Sequence, residues 1–181
     1  KESYPDKPIV LGGEHATAFT EFILNQCKEI EIIAMGEGES IILDIADFYQ
    51  GKIKDKRDVM GIAYLEDGKY LRNGLRPRIK NLDDIPWPDW DSINMNKFFD
   101  KKLSHGPYRG ITMPIVASRG CPFACSFCSN DVMWTRKYLT RSVEDVVDEI
   151  EHYIKKYGIK SIEFYDLTTI IKRAWILEFC E

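Results

Sequence analysis

The stretch Arg119-Gly-Cys-Pro-Phe-Ala-Cys-Ser-Phe-Cys128 places three thiols, Cys121, Cys125 and Cys128, within eight residues. Cysteine ligates metals as the thiolate. Gathering three thiolates on one short loop costs little chain entropy, because the loop is already nearly closed. Gly120 and Pro122 interrupt regular structure and let the backbone wrap around a metal centre. A structural zinc site would take a fourth Cys or His from a characteristic offset. The nearest histidines, His105 and His152, lack that offset, and the usual four-cysteine ferredoxin spacings do not match. Three thiolates leave one metal position for an exogenous ligand, as catalytic sites do and closed structural sites do not. On the thiols alone, a zinc-stabilised binding module stays open as the alternative.

The elements that must position these thiols read as α/β. Pro8–Gly13 is a short apolar run ending in two glycines, a buried strand and a tight turn. Phe19, Phe22, Ile23 and Cys27 follow at helical spacing, which makes Cys27 a core residue. Glu31–Gly36 predicts a second buried strand, and Ile42, Ile45, Ala46 and Tyr49 a second helix that Gly51 ends. Strand, helix, strand and helix with short connections imply parallel strands. Ile62–Gly74 reads as a hairpin turning at Asp67-Gly68. Ile85–Asp91, with Trp87 and Trp90 among prolines, reads as an extended linker pinned by its indoles. Met113–Gly120 is a strand that leads straight into the cysteines. Ser142 caps a helix whose stripe is Val143, Val146, Val147, Ile150, Tyr153, Ile154 and Tyr157, and Gly158 ends it. Lys160–Asp166 is the next strand, and another helix begins near Lys172, with Cys180 in its core. The organisation expected is 1–51, a linker with hairpin over 52–110, and 111–181. Asp55–Asp58 is a solvated charge run, His15 an exposed turn histidine, and Trp134 a candidate to cover a ligand.

The 25 Lys and Arg against 29 Asp and Glu give a formal charge of −4, which gives no support to a nucleic-acid partner held by bulk charge. No apolar run approaches a membrane span and no signal-peptide pattern opens the chain, so a soluble, cytoplasmic protein is expected. Five cysteines, three of them crowded, suit ligands in a reducing compartment better than a disulfide framework. The chain starts at Lys1 and stops within a helix-like segment, so it reads as a piece of a longer protein.

Cys121-x-x-x-Cys125-x-x-Cys128, with Phe127 before the last cysteine and a strand before the first, resembles the radical S-adenosylmethionine (radical SAM) superfamily. The resemblance implies a four-iron four-sulfur cluster held by the three thiolates. Its fourth iron would take S-adenosylmethionine, whose one-electron reductive cleavage yields a 5′-deoxyadenosyl radical. It also implies an electron donor such as flavodoxin or ferredoxin. Phe127 would lie beside the adenine, with core packing as the alternative. Asp166, at a strand end where this fold gathers its sites, is a candidate cofactor contact, with a capping or turn role as the alternative. Val10-Leu-Gly-Gly-Glu-His-Ala-Thr17 followed by Ala34-Met-Gly-Glu-Gly-Glu39, upstream of the linker, resembles the cobalamin-binding domain of cobalamin-dependent radical SAM enzymes. By that resemblance Gly12, Gly13 and Thr17 line the nucleotide-tail side, and Gly36, Glu37, Gly38 and Glu39 lie near the corrin. Glycines there also suit tight turns without a ligand. The implied fold is the C-terminal part of a flavodoxin-like (Rossmann-type) domain, the linker, then the first β/α units of a TIM-like barrel. The implied activity is cobalamin-dependent methyl transfer. A cyclase, a rearrangement catalyst or a methylthiotransferase-like enzyme without cobalamin is the alternative. No substrate and no catalytic side chain can be named from these residues.

Overall fold

The computed structural model describes residues 4–103 and 106–181; His105 lies outside them. In chain order the strands are β1 (Val10–Leu11), β2 (Ile32–Ala34), β3 (Ile62–Glu66), β4 (Lys69–Arg72), β5 (Thr112–Ile115), β6 (Ser118–Arg119), β7 (Leu139–Thr140) and β8 (Ser161–Phe164). The helices are α1 (Glu14–Ala18), α2 (Thr20–Gln26), α3 (Gly38–Tyr49), α4 (Asn96–Asp100), α5 (Asn130–Met133), α6 (Val143–Tyr157) and α7 (Arg173–Cys180). The chain forms two compact units, Lys1–Ile79 with Pro122–Arg136, and Lys80–Cys121 with Lys137–Glu181.

The first unit is a sheet of order β1-β2-β3-β4 with apolar packing on both faces. β1 and β2 pair in parallel, Val10 with Ile32 and Leu11 with Ile33. The hairpin does more than decorate a linker: β3 pairs antiparallel with β2 through Ile33–Ala63 and Ala34–Ile62. Its turn uses Asp67 (φ 50°) and Gly68 (φ 76°), the positive-φ pair that a two-residue hairpin loop needs. Strand alternation sends Ile33 and Ala63 to one face with Ile23 and Leu24, and Ile32, Ile62 and Tyr64 to the other with Ile41 and Ile45. Each fully buried Ile or Leu side chain among these contributes about 1.5–3 kcal/mol.

Part of the helical reading is corrected here. Phe19 and Phe22 are exposed, and so is Cys27. The expected single helix breaks at Phe19 (φ −123°, ψ 36°), which resets the buried face to Ala16, Thr17, Thr20, Ile23 and Leu24. In α3 the buried positions are Ile41 and Ile45, whereas Ile42 is exposed.

In the second unit β5 and β8 pair in parallel, Thr112 with Ser161 through Ile115 with Phe164. Met113 and Ile115 pack on Val146, Tyr153 and Trp175, with Phe164 against the same cluster. Ser142 accepts from the Asp145 N–H and caps α6, and Gly158 (φ 64°) closes it. The α6 stripe is narrower than its sequence suggests, since Val147 and Ile154 are exposed. Glu149 is buried in their place, held by Arg141 and by the Tyr153 hydroxyl. Cys180 is exposed at the end of α7 and not in its core. The long strand expected from Met113 splits into β5 and β6, and β6 pairs antiparallel with β7.

Candidate functional site

Because β1 and β2 are parallel, their C-terminal ends, Gly12-Gly13 and Gly36, lie at the same sheet edge, where ligands of open α/β sheets bind. Gly13 (φ 94°) and Gly36 (φ 86°) sit in the region that favours glycine. A Cβ built on either meets nothing within 4 Å, so backbone conformation rather than crowding calls for glycine there. Gly12 and Gly38 are exposed, and Glu39 is partly buried in the first turn of α3. Thr17 is buried, and its Oγ1 accepts from the Gly36 N–H at 3.2 Å, which ties the two turns together. The Glu37 side chain is 6% exposed. It accepts from the Ile79 N–H at 2.8 Å and pairs with Arg78 at 3.5 Å. His15 is exposed and packs on Phe19, with ring centroids 5.3 Å apart.

The segment after the last cysteine belongs to this same unit. Ser129 Oγ donates to Glu14 Oε2 at 3.2 Å, and Trp134 Nε1 donates to Glu14 Oε1 at 3.3 Å. Thr17 Oγ1 also reaches Met133 Sδ at 3.6 Å. The Arg78 guanidinium donates to the Trp134 carbonyl and lies 5.7 Å from the indole. A small cavity of about 90 Å³ is lined by Gly36, Glu37, Ser40, Arg78, Val132 and Met133 among others. Glu14, Arg78 and Ser129 were not legible as site residues. Their partners lie more than 40 residues away in sequence, and no local spacing marks them.

Cys121 is partly buried beyond β6, and Gly120 (φ 85°) makes the turn into it. Cys125 and Cys128 are exposed, in a turn closed by the Cys128 N–H to the Cys125 carbonyl at 3.0 Å. None of the three is in a disulfide. Among the described residues no three Cys, His, Asp or Glu side chains are gathered as a ready-made metal cage. Phe127 is 92% exposed, so it does not pack in the core. The donor set fits an iron–sulfur cluster: soft thiolates on an accessible loop, with one metal position left over.

Asp166 follows β8. It accepts from the Ala117 N–H at 3.2 Å and from the Ser118 hydroxyl. These contacts fix the start of β6, the strand that feeds the cysteines. Burial raises the Asp166 pKa, against the opposing pull of Ser118 and the backbone N–H groups. Arg141, just past β7, braces the two residues that lead into that strand. Its backbone N–H donates to the Ala117 carbonyl at 2.9 Å, and its guanidinium to the Val116 carbonyl at 3.1 Å. Burial would lower the Arg141 pKa, but its bonds to Glu149 and Asp145 outweigh this and raise it. Burial, then Glu149, push the Tyr153 phenol above its ordinary value. The linker is pinned as its indoles suggest: Trp87 Nε1 donates to Asp145 at 3.0 Å and Trp90 Nε1 to the Tyr153 hydroxyl at 2.8 Å. No helix among the described residues is long and apolar enough to cross a membrane.

Comparison with known proteins bears on these residues. The Radical SAM superfamily profile matches residues 115–178. An uncharacterized methyltransferase of Pyrococcus horikoshii is 35% identical over 165 residues, 91% of this chain and 34% of that protein. The anaerobic magnesium-protoporphyrin IX monomethyl ester cyclase of Rubrivivax gelatinosus is 37% identical over 184 residues, 100% of this chain and 32% of the cyclase. The chain thus spans about a third of the length of these relatives. The fold matches the cobalamin-dependent S-adenosylmethionine radical enzyme OxsB, solved with aqua-cobalamin and S-adenosylmethionine bound. The TM-score is 0.75 at 21% identity, over 95% of this chain and 23% of OxsB. The cysteine spacing, the strand before it and the parallel pairing behind it agree with that profile, so residues 115–178 carry the radical SAM superfamily match.

Proposed function

We propose that this chain supplies the cofactor-holding part of a cobalamin-dependent radical SAM methyltransferase. The observation that carries the reading is the Cys121-x-x-x-Cys125-x-x-Cys128 loop placed directly after a strand, within the superfamily match. In this reading Cys121, Cys125 and Cys128 hold the four-iron four-sulfur cluster. Phe127, exposed beside them, is positioned to cover the adenine of S-adenosylmethionine. Asp166 stays committed to β6 and orients the cofactor loop. Gly12, Gly13 and Thr17 line the nucleotide tail of cobalamin, and the Gly36–Glu39 turn faces its corrin. When bound, these groups supply a 5′-deoxyadenosyl radical and a transferable methyl group.

The parallel β1–β2 pair with helices on both faces supports a flavodoxin-like first domain, extended by the hairpin. The β5–α6–β8 unit supports the opening of a TIM-like barrel, with Cys121 following its first strand along the chain. An electron donor such as flavodoxin or ferredoxin is required for the reductive step. In this reading the substrate is a small molecule or a lipid- or natural-product-type compound, methylated at carbon or phosphorus.

Anaerobic reconstitution with iron and sulfide tests the centre. Wild type should gain cluster absorbance and, once reduced, an EPR signal; the Cys121, Cys125, Cys128 triple alanine variant should gain neither. A cluster that survives the triple variant, or about one zinc per chain without iron, removes the reading. The identity to the cyclase favours a second reading, a cyclase on the same scaffold. Methyl-labelled S-adenosylmethionine separates the two. Label in the product supports methyl transfer, and 5′-deoxyadenosine without label transfer supports cyclisation.

A further inference from the structure

Two side chains near the turns that end β1 and β2 reach the stretch that follows Cys128. Glu14 adjoins Gly13 and accepts from Ser129 and Trp134. Arg78 pairs with Glu37, next to Gly36, and donates to the Trp134 carbonyl. Thr17 completes the set, accepting from Gly36 and contacting Met133. Ser129 is covalently next to Cys128. Each turn is therefore one or two polar contacts from the stretch that follows Cys128.

The Arg78 and Glu37 side chains are 13% and 6% exposed. A pair this buried resists rearrangement, because separating it leaves an uncompensated charge. The Glu37 carboxylate is also taken up by the Ile79 N–H. It therefore acts on the protein rather than on a ligand. Displacing either turn pulls on Ser129–Trp134, and fixing Ser129–Trp134 holds the turns.

We propose that Glu14 and Arg78 are positioning residues that couple the two glycine turns to the Cys125–Cys128 turn. A corrinoid at the glycine turns and an iron–sulfur cluster at the cysteines then strengthen each other's binding. This rests on the cofactor assignments proposed above. Such coupling is reciprocal and of the order of 5–150-fold.

The test is a titration of aquacobalamin into the full-length protein, read by corrinoid absorbance, with and without the reconstituted cluster. Wild type should bind at least about fivefold more tightly with the cluster present. In the Glu14→Ala/Arg78→Met variant the ratio should fall below about twofold, with iron content per chain retained. Glu14→Gln keeps an amide oxygen for the Trp134 N–H and should restore most of the ratio when Arg78 is intact. If Arg78→Met does not fold, Glu14→Ala at its exposed position should by itself at least halve the ratio. Equal affinities in wild type, or an unchanged ratio in the variants, overturn the proposal. Absence of corrinoid binding with an intact cluster is a different result, which removes the cobalamin assignment and the coupling together. Absence of a cluster in wild type removes the radical SAM reading itself.

Discussion

The turn after β2 and the turn that carries Cys125 and Cys128 are built in opposite ways. At the first, Gly36 is held by Thr17, and Glu37 is sunk beneath the surface against Arg78 and Ile79. At the second, one backbone hydrogen bond closes the turn, while Cys125, Phe127 and Cys128 face solvent. The first is a preformed rim whose shape the protein already stabilises. The second presents exposed side chains, and in the reading proposed above it gains its order from the cluster it holds. Loss of a protein contact should therefore damage the first turn, and loss of a ligand the second.

That contrast can be broken at several points. Arg78→Met removes the cation beside buried Glu37, which keeps the Ile79 N–H, and should cost about 3–5 kcal/mol in denaturant unfolding of the cluster-free protein. A cost below about 1 kcal/mol would show that the rim is not held this way. Gly120→Ala forces a side chain onto φ 85° and should cost about 1–2 kcal/mol. Slower cluster loading should accompany it, measured by iron uptake.

Asp166 gives a pH test. Its pKa is raised in the folded state, so the protonated form is favoured there relative to the unfolded chain. The stability linked to it is full below the unfolded pKa and is lost as pH rises through the folded value. Unfolding curves of wild type and Asp166→Asn should therefore diverge in favour of wild type as pH falls through the carboxylate range. The smallest stability effect belongs to Phe127→Ala, within about 0.5 kcal/mol because the ring is exposed. The same variant should weaken S-adenosylmethionine binding, read by equilibrium titration of the reconstituted protein. A large loss of stability instead would assign Phe127 to packing.

The parts that were legible in the sequence are those set by local rules. Ser142 and Gly158 bound α6 as their types require, and Asp67-Gly68 makes the hairpin turn. The strands ending in Gly12-Gly13 and Gly36 pair in parallel, as their spacing implied. Periodicity misled where tertiary structure interrupts it. A break at Phe19 moved Phe19, Phe22 and Cys27 to the surface. Glu149 entered the buried stripe because Arg141 and Tyr153 compensate it, and neither partner is visible in a hydrophobic pattern. The hairpin's place in the first sheet depends on β2–β3 pairing across nearly 30 residues, which no local signal sets. The same holds for Glu14 and Arg78.

The Cys125–Cys128 turn has a consequence for handling the molecule. Two exposed, free thiols sit three positions apart on a hydrogen-bonded turn. Protein isolated in air without its metal should be prone to close these thiols into a disulfide, or to carry them up the sulfenic and sulfinic series. Thiol titration before reconstitution therefore measures how much of a preparation can still be loaded. An inactive sample with an incomplete thiol count reports oxidation, not a wrong assignment.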